Sequence, residues 1–208
     1  MNEIERDEAS EVRGWFVGLE PDDGELTRLR ADLAERAADA DLVDLAYATV
    51  RTPIGAVLLV ASRAGVVRLA FENEDHDAVL AGLAASVSPR VLEVPGRLAQ
   101  AARELEEYFA GRRRRFDVPV DLSLARGFGA AVVAHLPSID FGRTESYAAV
   151  AAAVGSPRAV RAVGSACARN PVPIFVPCHR VVRSDGTFGA YRGGHEAKRF
   201  LLELESAA

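Results

Sequence analysis

The sequence predicts an α+β protein: a small N-terminal antiparallel sheet with helices, then a mainly helical C-terminal domain holding a helix-turn-helix and a candidate reactive cysteine. Three observations carry this expectation. Strand-like runs separated by turn residues cluster between residues 47 and 71. Helical patterns dominate from residue 122 onward. A polar triplet, Cys178-His179-Arg180, stands between the apolar runs PVPIFVP and VV.

Residues 1–23 are polar and expected to be loosely ordered. In residues 24–39, Leu26, Leu29 and Leu33 recur at helical spacing and predict a short amphipathic helix. Residues 47–50 and 57–61 read as strands joined by the turn Thr52-Pro53-Ile54-Gly55, and Arg63-Ala64-Gly65 turns the chain into a third strand over 66–71. Residues 76–86 and 96–110 read as helices, the second with Leu98, Ala102, Leu105 and Phe109 on one face. Gly111, the four arginines 112–115 and FDVPVD then read as a linker. These signals divide the chain into an acidic, partly helical extension (1–43), an α/β domain (44–117) and a C-terminal domain (118–208).

In the C-terminal domain, residues 128–136 and 146–154 read as helices. Gly155 closes the second of these, Ser156 is placed as an N-cap, and Pro157 as the first residue of a helix over 157–168 that stops before Asn170-Pro171. Two short helices around a glycine turn make a helix-turn-helix. Along the second, Arg158, Arg161 and Arg169 are interspersed with the small Ala159, Ala162 and Gly164. Small side chains let a helix lie close against DNA, and equally against another helix. Residues 173–177 are expected to run extended through the core.

Composition narrows the function. Of 208 residues, 49% are hydrophobic and 26% charged, as in ordinary globular proteins. No apolar run is long enough to cross a membrane and the N-terminus does not resemble a secretory signal, so a cytoplasmic protein is expected. Cys167 and Cys178 are the only cysteines, too few for a disulfide scaffold. His76, His135, His179 and His195 lack metal-ligand spacing, so no metal is expected. The net charge of −5 is unevenly spread. Residues 1–43 carry 13 acidic and 5 basic side chains, whereas residues 122–208 carry 6 acidic and 10 basic ones, nearly all Arg.

The triplet fits two readings. One is a buried cysteine beside a histidine that bonds a carbonyl. The other is a nucleophile, because an adjacent imidazole makes a thiolate. In a strand, residues 178 and 179 would face opposite ways, so the second reading needs a backbone turn or a bridging water.

Residues 177–182, PCHRVV, resemble the active-site signature of the O6-alkylguanine-DNA alkyltransferases, the methylated-DNA–protein-cysteine methyltransferases. The resemblance extends over residues 157–205 without an evident gap, from Phe128 to Tyr147, and over residues 46–71. It implies DNA repair by direct, irreversible, one-to-one transfer of a methyl or alkyl group from O6-alkylguanine to Cys178 after base flipping, with O4-alkylthymine open as a second substrate. It also implies the role of each matching residue. Cys178 is the acceptor, His179 acts through a water to hold it as thiolate, Glu205 orients the imidazole, and Asn170 ties the active-site turn to the recognition helix. Tyr147 assists flipping and donates a proton toward guanine, and Arg161 fills the vacated stack. Tyr147, Ala148, Ser156, Ala159, Arg161, Ala162, Gly164 and Ser184 make up the DNA-facing set, and Pro173, Val181 and Tyr191 the guanine pocket. The implied partner is double-stranded DNA containing O6-alkylguanine, bound by a monomer with no cofactor, metal or membrane.

Val133 and Asp140 stand where bacterial members often have Trp and Pro, while Cys167, Arg192 and His195 occupy variable positions. The first 43 residues have no counterpart in the minimal family fold. An alkyltransferase-like protein that binds lesions without repairing them is the alternative, but such relatives lack the acceptor cysteine. A Cys-His hydrolase is disfavoured because no oxyanion-type glycine motif lies near Cys178.

Overall fold

The computed structural model describes residues 22–207, so the expectation for residues 1–21 lies outside the described part. Helix α1 (Asp23–Asp39) starts at an Asp22 cap, whose side chain accepts from Glu25 N. It does not seat on its leucines. Ala34 is buried with Val43, Ala46 and Val94, while Leu29 and Leu33 remain more than half exposed. Small alanines allow the closer approach to the sheet, so the apolar stripe predicted from Leu26, Leu29 and Leu33 is a flank of the buried face rather than its centre.

Strands β1 (Leu45–Thr52), β2 (Gly55–Ser62) and β3 (Gly65–Ala70) form the expected antiparallel meander. After helix α2 (His76–Ser86), a fourth strand β4 (Val91–Glu93) pairs parallel to β1 and makes the order β3-β2-β1-β4. The sheet is therefore mixed. Three residues are too few for a period-2 pattern to register in the sequence. Both faces are covered: Leu58, Val60 and Val67 meet Leu83 of α2, whereas Leu59 and Leu69 meet Leu98, Leu105 and Tyr108 of helix α3 (Pro95–Phe109).

The segment expected as a linker is anchored at several points. The buried Glu104 carboxylate accepts from Asp117 N (2.8 Å) and Val118 N (3.3 Å). Arg113, in the run of four arginines, bonds Glu107 and Asp117, each at 2.8 Å. Pro119 O accepts from Val66 N at 2.9 Å, and Asp121 N donates to Val66 O at 2.9 Å.

Helix α4 (Gly127–His135), a 3₁₀ turn over Leu136–Ser138, and the short strand β5 (Glu145–Ser146) lead into α5 (Tyr147–Ala153) and α6 (Val160–Ala168). Ser146 caps α5 by accepting from Ala149 N (3.1 Å). Helix α6 starts at Val160, three residues later than Ser156-Pro157 predicts. Gly155 is left-handed at φ 72°, and Ser156 N reaches back to Ala151 O (2.8 Å). Residues 156–159 are consumed by a turn closed by Ala159 N to Ser156 O (2.8 Å). Strand β6 (Val181–Val182) pairs parallel to β5, and α7 (Gly194–Ala207) ends the described chain. One apolar cluster runs from Leu59 and Leu105 through Val132, Val163 and Ile174 to Leu201, joining the two halves of the chain.

Gly65 combines φ 142° with close approach: a Cβ there would lie 2.3 Å from the Pro119 carbonyl oxygen. Gly65→Ala is expected to lower stability by at least about 2 kcal/mol, from strain and a displaced 119–121 segment, measurable as a lower urea midpoint at unchanged slope.

Candidate active site

Residues 170–177 do not run extended. Asn170, at the end of α6, holds them in a coil: its side-chain amide donates to Val176 O (2.8 Å) and its side-chain oxygen accepts from Val172 N (3.1 Å). Val176 N returns to Val172 O at 2.9 Å. Ile174 is thereby forced to φ 75°, a costly region for a β-branched residue. The run is buried as expected, but prolines that preclude a regular helix here build a turn instead of a strand.

The coil delivers residues Cys178–Arg180 as a single 3₁₀ turn, with Cys178 N bonded to Val176 O (2.8 Å). Three residues per turn fan the side chains around one axis, which removes the alternation problem of a strand. His179 is fully buried, and its Nε2 lies 2.9 Å from Glu205 Oε1 in α7. Arg180 grips the same carboxylate with Nε on Oε2 (2.8 Å) and Nη2 on Oε1 (2.9 Å), while its Nη1 donates to Ile139 O (2.6 Å). Gly142 N adds a contact to Oε2 at 3.2 Å, and Tyr108 Oη one to Oε1 at 2.7 Å.

These contacts set the ionisation pattern. Burial alone would raise Glu205, but hydrogen bonds from His179, Arg180 and Tyr108 hold it well below the usual carboxylate range. Burial lowers His179 from its ordinary 6.5, so the imidazole is neutral at pH 7. Bonded to an ionised carboxylate, Nε2 must carry the proton, which leaves Nδ1 as a lone-pair acceptor with no partner among the described residues. Burial pushes the Cys178 thiol up to about 11, opposed by an Asn170 hydrogen bond and the charges of Lys198 and Arg192. Burial thus opposes the thiolate expected from the sequence, while Asn170, Lys198 and Arg192 favour it.

Lys198 was not legible as a site residue. It is buried, donates to Val181 O (2.6 Å), and lies 5.9 Å from the Tyr147 ring centroid. Its spacing to Leu201 and Glu205 on one helical face was the available signal. Tyr191 stacks edge-on to His179 at 6.5 Å and buries a hydroxyl with no partner among the described residues. Pro173 and Val181 are buried, and Cys178 is only 3% exposed. Of the DNA-facing set, Ala148, Arg161, Ala162 and Ser184 are exposed, and Ser156 and Ala159 are partly so. Gly164 is also partly exposed, and a Cβ there would lie 3.9 Å from the Tyr147 ring. Cys167 is buried, with its thiol raised to about 12 by burial and by Cys178.

A buried cysteine, a neutral imidazole backed by a carboxylate, and an exposed helix-turn-helix define a class: a nucleophilic-cysteine protein built on a DNA-binding-type scaffold. Comparison with known proteins supplies the family. Residues 127–207 match the 6-O-methylguanine DNA methyltransferase DNA-binding domain, and residues 45–122 match the ribonuclease-like domain of the same family. The constitutive methylated-DNA–protein-cysteine methyltransferase of Bacillus subtilis (strain 168) is 39% identical over 160 residues, spanning 76% of this chain and 94% of that one. The crystal structure of Mycobacterium tuberculosis O6-methylguanine methyltransferase superposes with TM-score 0.67 at 36% identity, covering 78% and 93% of the two chains. The same figures hold for a crystal structure of the M. tuberculosis protein in complex with DNA. The chain belongs to the 6-O-methylguanine DNA methyltransferase family, with α1 outside both matched spans.

Two expectations follow. Asn170→Ala removes both ties of the Ile174 turn and strands buried backbone groups. A loss of about 2–4 kcal/mol is expected, read as a lower denaturant midpoint. Below about pH 6.5 the unfolded chain takes up a proton that the folded, neutral His179 refuses, so stability falls with acidification. Melting scans between about pH 7.5 and 5.5 should show this decline, and His179→Gln should flatten it.

Proposed function

We propose that this protein repairs O6-alkylguanine in double-stranded DNA by moving the alkyl group irreversibly onto Cys178. The observation that carries this reading is the buried Cys178–His179–Glu205 array beside an exposed helix-turn-helix. In this reading residues 118–208 bind DNA and accept the alkyl group, residues 44–117 back the site, and residues 1–43 are an acidic extension. The protein acts as a monomer in the cytoplasm, where its two buried thiols stay reduced.

The O6 of a stacked guanine points into the major groove, out of reach of a sulfur that is 3% exposed. The nucleotide must therefore leave the stack, at a cost of a few kcal/mol that damage to the base pair reduces. Arg161 takes the vacated space, with Ala148, Ser156, Ala159, Ala162, Gly164 and Ser184 close to the backbone and phosphate contacts supplying sequence-independent affinity. The purine enters between Pro173, Val181 and Tyr191.

With the thiol raised to about 11, proton removal is part of the reaction. His179 Nδ1 accepts the thiol proton through one water, and the ionised Glu205 stabilises the imidazolium that forms. The sulfur attacks the alkyl carbon in line, an S–C bond forms, the C–O6 bond breaks, and its electron pair stays on guanine. A proton from Tyr147 neutralises the departing base. Asn170 keeps the turn that presents the sulfur. The product thioether has no route to hydrolysis, so each molecule reacts once.

A lesion-binding protein without transfer is disfavoured because the acceptor sulfur and its imidazole–carboxylate pair are both in place. Titration with DNA containing O6-methylguanine should end at one methyl group per protein, found by mass spectrometry on the peptide holding Cys178. Cys178→Ser should bind the same DNA and gain no methyl group. Repeated turnover, or methylation confined to other residues of folded protein, refutes the proposal.

A further inference from the structure

We infer that Tyr108 is a positioning residue for alkyl transfer, through which the N-terminal half of the chain sets the basicity of His179. The inference rests on the proposed role of His179 as proton acceptor. Tyr108 lies in α3, in sequence 97 residues from Glu205, and is fully buried. Its ring is fixed by Phe109 at 5.4 Å, Phe116 at 5.3 Å and Phe141 at 6.1 Å between centroids. The hydroxyl donates to Glu205 Oε1 at 2.7 Å, the shortest of the contacts to that carboxylate.

The choice of oxygen matters. Oε1 also accepts from His179 Nε2 and Arg180 Nη2, whereas Oε2 accepts from Arg180 Nε and Gly142 N. Tyr108 therefore competes with His179 for the electron density of one atom. A donor placed there lowers the proton affinity of the carboxylate and weakens its support of an imidazolium. Burial and the charge of Glu205 raise the Tyr108 phenol, so it stays protonated and keeps donating. Arg180 also draws on Glu205, but it belongs to the same turn as the acceptor. Tyr108 is the donor supplied by the other half of the chain.

Removing the hydroxyl has a predictable sign. Oε1 becomes a better acceptor, the imidazolium is better supported, and His179 protonates at higher pH. Because transfer needs neutral His179, the acid limb of the rate profile moves up. Tyr108→Phe keeps the ring packing. Its single-turnover rate is expected to show an acid limb displaced upward by about 0.5–1 pH unit, or about 3–10-fold slower transfer below the limb. The alkaline plateau should stay within about twofold. A purely structural role would lower the reactive fraction alike at every pH and leave the limb unmoved, which overturns the inference.

Site-specific 3-fluorotyrosine at position 108, a stronger donor of nearly the same shape, should move the limb the opposite way, and it decides the matter if Tyr108→Phe does not fold. The ¹⁵N-NMR titration of His179 in DNA-free protein provides a readout independent of repair. An unshifted titration in a folded variant overturns the role of Tyr108. A shifted titration in a protein that transfers no alkyl group upholds that role and refutes the repair proposal instead.

Discussion

A carboxylate removed from water has to be met by donors, because an unpaired buried charge costs several kcal/mol. In this protein that requirement organises the site. Glu205 sits in the last helix, and its two oxygens draw contacts from Tyr108, Gly142, His179 and Arg180. The guanidinium of Arg180 balances the charge with two parallel bonds, the strongest geometry available for such a pair. With Glu205 kept ionised, the tautomer of His179 follows, and with it the lone pair at Nδ1. The same carboxylate joins α3 of the N-terminal half to α7, so assembly of the core and assembly of the imidazole–carboxylate pair are one event.

The acceptor cysteine is held by a different constraint. Burial pushes its thiol up to about 11, which keeps an exposed-type side reactivity away from a residue that can be used only once. Presenting that sulfur requires the compact coil after Asn170, with Ile174 in the left-handed region. Such a conformation persists only where the surroundings over-determine it, and here the Asn170 side chain bonds the coil at both ends. Asn170 also stands just beyond the end of α6, directly after its cap Arg169, so that helix and Cys178 are joined by a short, tightly bonded connection.

Much of this was legible in the chain. The three-strand meander, the helix pair and the PCHRVV turn are local features, and the side chains that form them lie within a few residues of one another. The misreadings were also local, and each has a cause. Ser156-Pro157 looks like a helix start, but Gly155 sends the backbone into a reversal that occupies residues 156–159 first. A run rich in proline reads as extended, yet Asn170 can curl it. The leucines of α1 look like a buried stripe, but its alanines pack more closely against the sheet. β4 is too short to leave a pattern.

By itself, the sequence determined the strand meander, the helix pair and, through the resemblance carried by PCHRVV, the candidate acceptor Cys178 with its histidine neighbour, because these are features of residues close together along the chain. Tertiary structure alone decided which atoms meet: Tyr108 on Glu205, Lys198 against the Tyr147 ring, Arg180 across the carboxylate. Periodicity tells which face of a helix is buried. It does not tell which polar atom will oppose another across the core, since that choice follows from how α3, α7 and the active-site turn pack together, and their partners are up to 97 residues apart.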